Sequence, residues 1–331
     1  MMKVLITGCY GFIGYNFIKH LQAIYEDDIL IYGIDKLTNS YSNFNSQVDD
    51  TINFFHADIN DISKIDQLQI KNLDAVFNFA AETHVDTSIY NPDVFIESNV
   101  LGVSRLLQFS LRNEVNSFIH ISTDEVYGSN KDIFSKEDDK FAPTSPYAAS
   151  KASAEHVVNS FFKTYGLNCK TIRPANNFGK YQQPEKLIPF SFGNLSVGGN
   201  IEIYGDGKNI RHWLYVDDTC KAVETVYKNG KSGEAYNIGS GIYLNNLEIT
   251  NKILSLLNLD SERIEFVQDR PGHDFRYAVN FEKIKKIGWN PNPDFENQLN
   301  ETLEWYEQNK DWWKQSFDKI LDNRKKRLSL D

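Results

Sequence analysis

The chain reads as an α/β protein: a doubly wound parallel sheet with helices on both faces, followed by a smaller C-terminal α/β region. Three observations predict this. Short apolar runs rich in β-branched and aromatic residues alternate with helical patterns through the first half. A glycine-rich turn joins the first run to the first helical pattern. An acidic residue closes the second run.

Taken in order, "KVLITG" is the first strand and "FIGYNFIKHLQAIY" the amphipathic helix after it. The runs "ILIYGID", "INFFHAD", "AVFNFAAE", "FIHISTD" and "CKTIRPANN" follow, each short and bounded by polar residues or glycine. Periodic segments between several of them supply the covering helices. The later stretches "QPEKLIPFSFGNLSVGG" and "EIYGDGKNIRHWLYVDD" predict loops, short strands and a helix. This region is expected over the carboxyl ends of the strands. The boundaries are 1–175 for the sheet domain, with 213–238 returning to it, and 176–331 mainly for the second region. The charged tail "DKILDNRKKRLSLD" reads as a solvated helix end.

The chain has 331 residues and a formal charge of 35 − 45 = −10. That balance argues against nucleic acid as a partner, although a local basic pocket could bind an anionic ligand. No apolar run is long enough to span a bilayer. The first residues enter a strand at once, so no signal peptide is expected. Cys9, Cys169 and Cys220 have neither metal-ligand nor disulfide-framework spacing, and a reducing cytoplasmic setting fits them.

"TGCYGFIG" sets Gly8, Gly11 and Gly14 between the first strand and first helix. A pyrophosphate can approach a backbone without Cβ atoms, and the helix N-terminus supplies oriented N–H groups. Asp35 lies where a carboxylate accepts hydrogen bonds from a ribose diol and repels a 2′-phosphate. The reading is a Rossmann-like domain that takes NAD rather than NADP. Asp58, after the third strand, reads on its own as a turn or helix cap.

"SPYAASKASAEH" puts Tyr147 and Lys151 four apart on one helix face. A phenol titrates near 10 and is a poor base at neutral pH. A neighbouring ammonium favours its phenolate, which can then take a proton from an alcohol as hydride leaves the carbon. "HISTDEVYG" ends a buried strand with Thr123, Asp124 and Glu125 at the edge where such sheets bind ligands. Simple alcohol oxidation needs no such pair of acids. Elimination of water does: one carboxylate removes a proton from carbon, and a protonated partner protonates the departing hydroxyl.

Together with "AAETHVD", "NNFGKYQQPEKLIP", "IYGDGKNIRHWLYVDD", "YNIG" and "DRPGHDFRYAV", these motifs resemble those of the nucleotide-sugar 4,6-dehydratases of the extended short-chain dehydrogenase/reductases. The Gly-x-x-Gly-x-x-Gly spacing is that group's loop, and the likeness runs over almost the whole chain. It implies a tightly held NAD and a hexose nucleotide substrate, dTDP-glucose foremost. Tyr147, assisted by Thr123, accepts the C4 hydroxyl proton as C4 is oxidised. Glu125 then removes the C5 proton, Asp124 protonates the departing C6 hydroxyl, and hydride returns to C6. The resemblance gives cofactor contacts to Phe12, Ile13, Lys36, Thr38, Asp58, Ile59, Ala80, Ala81, Asn99 and Ser122, beside the glycines, Asp35, Tyr147 and Lys151.

For the substrate it implies Arg211 and Arg276 on the diphosphate and nucleotide, and Asn177 and Asn246 lining the same pocket. Glu185, Lys186 and Leu187 lie beneath sugar and base, Tyr204 stacks near the base, and Thr83 and His84 approach the sugar hydroxyls. Departures are Thr87 where the family usually has Arg, His212 where Asp is usual, "RPANNFG" without a Cys before the Asn pair, and "NIGS" for "NIGG". They leave UDP-glucose or another hexose nucleotide open. A UDP-sugar 4-epimerase, a UDP-glucuronate decarboxylase and a non-catalytic NAD-binding sensor are the alternatives. A homodimer is expected, paired through "NPDVFIESNVLGVSRLLQFSLRN" and the Tyr147 helix.

Overall fold

A computed structural model describes residues 1–38, 40–67, 70–129, 133–269 and 274–328. The segment 270–273 of the "DRPGHDFRYAV" motif lies outside the described residues, as do the last three residues of the tail. Helix and strand alternate from the start: β1 (Met2–Thr7), α1 (Phe12–Tyr25), β2 (Ile29–Asp35), α2 (Ser40–Val48), β3 (Asn53–His56), α3 (Ile62–Gln67) and β4 (Ala75–Asn78). α4 (Val85–Tyr90), α5 (Asp93–Ile96) and α6 (Val103–Arg112) follow, then β5 (Phe118–Ile121), α7 (Pro146–Tyr165) and β6 (Cys169–Pro174). The second half holds β7 (Asn176–Phe178), α8 (Leu187–Ser196), β8 (Ile201–Tyr204), β9 (Ile210–Tyr215), α9 (Val216–Asn229), β10 (Ala235–Ile238) and β11 (Tyr243–Asn245). It ends with α10 (Asn246–Leu256), β12 (Ile264–Val267), α11 (Glu282–Lys285), α12 (Phe295–Gln308) and α13 (Lys310–Leu328).

Among the described residues, seven parallel strands form one sheet in the order β10-β6-β5-β4-β1-β2-β3. The order reverses between β1 and β4, and such a switch point opens a crevice at the carboxyl ends of the strands. The sheet is buried on both faces, which is why its strands read as continuous apolar runs. One face packs Val4, Ile6, Phe77, Ile119 and Ile172 against α1 and α9. The other packs Leu5, Val76, Phe118 and Cys169 against α6 and α7.

A separate core holds the second region together, built from Phe178, Phe190, Trp213, Tyr306, Trp313 and Phe317. Around it lie the small sheets β11-β9-β7 and β12-β8. The segment from Asn91 to Asn113 is helical over most of its length but changes pitch midway. Residues Glu97–Gly102 form a π-helical turn between α5 and α6. Its last residue fits closely on Ile59, because a Cβ at Gly102 would lie 2.7 Å from the Ile59 side chain.

Candidate active site

β5 delivers the acids. After Ile121 the Ser122 amide donates to the Ile172 carbonyl at 2.7 Å, and the chain then leaves the sheet. Thr123 is extended and its hydroxyl accepts from the Glu125 amide at 3.3 Å, capping a tight turn over Asp124–Tyr127. Gly128 closes that turn with φ +73, where a Cβ would strike the Ala142 carbonyl oxygen at 2.1 Å. Asp124 is 2% exposed and its Oδ2 has no hydrogen-bond partner. Burial first, and the Glu125 charge second, hold its carboxyl well above the carboxylate range, while Arg211 pulls the other way. Desolvation plus a like charge favours the protonated acid, the state that a proton donor needs.

α7 delivers the phenol. Ser145 caps it, accepting from the Ala148 amide at 3.1 Å, and Pro146 stands in its first turn. Tyr147 is 8% exposed and meets Phe95 edge-on at 6.4 Å. Burial, then Glu125 and Asp124, push its phenol above the ordinary range, and the Thr123 hydroxyl opposes them by hydrogen bond. The Lys151 ammonium donates to the Ile121 carbonyl at 2.6 Å. Burial pushes Lys151 down to about 8, with Glu155 opposing. The sequence reading has Lys151 lowering Tyr147. In the structure the lowering group is Thr123, because the ammonium is directed to the end of β5.

The glycine loop sits at the switch point. Gly8 has φ +65, and a Cβ there would stand 2.7 Å from the Ala80 amide nitrogen; one on Gly14 would meet the Gly8 carbonyl oxygen at 2.2 Å. Asp35 accepts from the Tyr10 amide at 3.1 Å and the Leu37 amide at 2.8 Å. Burial nevertheless pushes its carboxyl up, so further donors such as ribose hydroxyls would suit it. Ser122 Oγ is buried without a partner. The bare loop, the under-compensated Asp35 and this orphan hydroxyl fit a dinucleotide.

The remaining cofactor candidates separate by exposure and bonding. Lys36 lies 2.6 Å from Glu82 and 3.9 Å from Asp58, whose Oδ1 accepts from the Asn60 amide. Phe12 and Ile59 are buried, Ile13, Ala80 and Ala81 half-buried, and Thr38 exposed. Asn99 is fully buried and bonds to both the amide and carbonyl of Glu82 and to Ser150. It ties the loop after β4 to α7, a positioning arrangement.

On the substrate side, Arg211 is 7% exposed, lies over the Tyr277 ring at 4.9 Å and donates to the Ile210 and Asp274 carbonyls. Arg276 stands over Phe134 at 4.9 Å and Tyr243 at 5.7 Å. His212 is buried, with Nε2 accepting from the Ser240 and Gly241 amides, both at 2.9 Å. Burial and Arg276 push it down to about 3, so the ring is neutral. A neutral imidazole thus supplies acceptor capacity without a carboxylate's charge.

Other substrate candidates are more occupied by the chain itself. His84 Nδ1 accepts from the Thr87 amide, capping α4, and lies 3.0 Å from the Thr87 hydroxyl. Asn177 donates to the Ala175 carbonyl and accepts from Thr219. Its neighbour Asn176 instead leaves Oδ1 buried without a partner, which makes it the better candidate of the pair. The sequence reading named Asn177 alone; the unpartnered acceptor belongs to the residue before it, at the start of β7. Lys186 precedes α8 and Leu187 begins it, both half-buried, and burial pushes Glu185 up. Tyr204 ends β8, Asn246 follows the Asn245 cap of α10, and Thr83 is exposed.

Among the described residues no cluster of His, Cys, Asp or Glu could hold a metal ion, and no helix is long and apolar enough to cross a membrane.

A family model described as GDP-mannose 4,6 dehydratase matches residues 5–302. The chain is 42% identical over 306 residues to the low-salt glycan biosynthesis protein Agl12 of Haloferax volcanii, covering 92% of this chain and 98% of that protein. It is 40% identical over 317 residues to a dTDP-glucose 4,6-dehydratase of Streptomyces antibioticus, covering 94% of each. The crystal structure of DesIV, a dTDP-glucose 4,6-dehydratase from Streptomyces venezuelae with NAD and TYD bound, superposes with a TM-score of 0.89 at 40% identity, covering 94% of this chain and 99% of that one.

Proposed function

The chain belongs to the GDP-mannose 4,6 dehydratase family, and from that premise we propose that it is an NAD-dependent hydro-lyase converting dTDP-glucose to the 4-keto-6-deoxy sugar nucleotide of deoxysugar biosynthesis. The observation that carries the reading is the Asp124 carboxyl: buried, poised as an acid, and set in sequence beside Glu125 at the edge that holds Tyr147. An epimerase or decarboxylase has no use for that arrangement.

The glycine loop, Asp35, Asp58 and Ser122 would hold NAD, whose chemistry is reversible hydride acceptance with no net redox. Tyr147, as the phenolate that the Thr123 hydroxyl stabilises by hydrogen bond, takes the C4 hydroxyl proton and becomes the neutral phenol. The 4-keto group acidifies the C5 hydrogen, which Glu125 removes. Asp124 gives its proton to the C6 hydroxyl, which departs as water, and Glu125 then returns the proton to C5 as hydride comes back to C6. Burial excludes bulk water from these transfers and strengthens each electrostatic contact.

Residues 1–175, with 213–238, form the dinucleotide-binding unit, and 176–331 mainly the nucleotide-sugar unit. Arg211 and Arg276 are the cations suited to the diphosphate. The protein acts as a homodimer, paired through the α5–α6 segment and α7, in the cytoplasm.

Incubation with dTDP-glucose and mass measurement of the product tests the reading. Loss of one water supports it. Unchanged mass with inverted C4 configuration makes the chain an epimerase, and release of carbon dioxide from a UDP-glucuronate sample makes it a decarboxylase. A sample loaded with NAD that turns over no hexose nucleotide is a sensor.

A further inference from the structure

Tyr147, Lys151 and Glu155 succeed one another at four-residue spacing and share one face of α7. Glu155 is 5% exposed, and so is its partner Arg173 on β6. The guanidinium grips the carboxylate with Nε at 3.0 Å from both oxygens and Nη2 at 2.7 Å from Oε2. Its remaining amino group, Nη1, points away from α7. It donates to the Glu137 carbonyl at 2.9 Å and to the Tyr127 hydroxyl. Tyr127 is the last residue of the acid turn, and its hydroxyl donates to Asn237 Oδ1 at 2.8 Å. Asn237 stands opposite Arg173 in the β10–β6 register, so both anchors sit on paired strands of the sheet.

A buried ion pair is a poor device for stability. Desolvation of both charges consumes most of the attraction, and apolar replacements of similar volume often serve as well. This pair has a geometric consequence that apolar packing would lack: it bonds to the helix of the phenol on one side and to the turn of the acids on the other. We propose that the buried Glu155–Arg173 pair is a positioning device that sets α7, with Tyr147 and Lys151, in register with the Asp124–Tyr127 turn, Glu155 acting on the reaction through Lys151 and Arg173 through Tyr127. The proposal rests on the reading of those residues given under Proposed function.

The two arms have different signatures. Glu155 is the carboxylate that sustains the Lys151 charge against burial. The other titratable groups beside Lys151 are His120 on β5 and Tyr147 one turn away on its own helix. His120 is held neutral by burial and by Lys151 itself, and Tyr147 is pushed above its usual range. As pH rises through the Lys151 value of about 8, the ammonium that anchors α7 to the Ile121 carbonyl loses its charge, and Glu155 sets where on the pH scale the anchor and the activity weaken. Glu155→Gln keeps the volume and a hydrogen-bonding oxygen but not the charge. It moves the alkaline limb of C4 oxidation to lower pH. Tyr127→Phe removes only the hydroxyl between Arg173 and Asn237. It leaves that limb in place but slows water elimination roughly fivefold to tenfold, the effect of about one net hydrogen bond. Reduced nicotinamide then accumulates on the enzyme during turnover.

Wild-type and variant enzymes are assayed with dTDP-glucose across the pH range, following enzyme-bound reduced nicotinamide by absorbance and product by mass. Wild-type loss of water is the control, and its failure overturns the functional reading rather than the pair's role. With that control met, a shifted limb in Glu155→Gln and nicotinamide build-up in Tyr127→Phe support the proposal. Lower rates in both variants with an unmoved limb and no build-up overturn it and leave the pair a packing feature. Should Glu155→Gln not fold, Tyr127→Phe decides alone, since it leaves both charges in place.

Discussion

The two halves of the catalytic edge are built on different physical rules. The phenol half is a regular helix with a serine cap, a proline in the first turn and Gly166 at its C-terminus in the left-handed region. Each of these is a local signal. The acid half is a four-residue turn held from outside: by the Ala142 backbone against Gly128, by Tyr127 on Arg173 and Asn237, and by the close of β5 against β6. The comparison teaches that the helix carrying the phenol can form from nearest-neighbour signals alone, although its register in the site is set by long-range contacts. Burying one of two adjacent acids beside the charge of the other needs walls supplied by distant parts of the chain.

The largest effects should come from the chemistry of each half. Tyr147→Phe loses C4 oxidation and forms no reduced nicotinamide on mixing with dTDP-glucose. Glu125→Gln loses dehydration by about 10²–10⁴-fold yet still oxidises C4, so reduced nicotinamide accumulates. Stopped-flow absorbance distinguishes them. Identical traces from the two variants would erase the division between the halves.

Asp124→Asn sharpens the comparison from the stability side. A carboxyl held above its unfolded value of 3.8 costs stability once pH rises through that value, and the cost grows until the folded value is passed. Asparagine carries no such cost. The variant should lose dehydration but melt higher than wild type at neutral pH, with the gap closing as pH falls toward 4. Thermal melts across that range check it. An unchanged or lower melting point at neutral pH contradicts a buried, strained carboxyl.

Gly128→Ala should lower stability by about 2–3 kcal/mol, because it combines a positive φ with a backbone collision. Ser145→Ala on the phenol half should cost only about 1 kcal/mol, the ordinary worth of an N-cap. Urea titrations measure both. Equal costs would mean that the turn is no more dependent on tertiary support than the helix.

Much of this was legible in the chain. The β1–glycine loop–α1–β2 unit, Asp35, the strand runs and the Tyr147–Lys151 spacing stand in the structure where the sequence pattern placed them. Other assignments needed the fold. Asn99 turns inward to Glu82 and Ser150, and Asn176 rather than Asn177 keeps a buried acceptor open. Lys151 reaches the Ile121 carbonyl instead of acting as the group that lowers Tyr147. His212 satisfies two loop amides some thirty residues on. None of these partners is near in sequence, so no local pattern encodes them.

By itself the sequence determined the alternating elements, the glycine-rich turn and the placement of Tyr147 and Lys151 on one helix face, because periodicity, glycine and spacing act over one or two turns of chain. Only the tertiary structure decided which acid is buried beside its charged neighbour, what the lysine bonds to, and how Arg173 ties one half of the site to the other. Burial and long-range pairing set those protonation states and directions, and they exist only once the strands have come together.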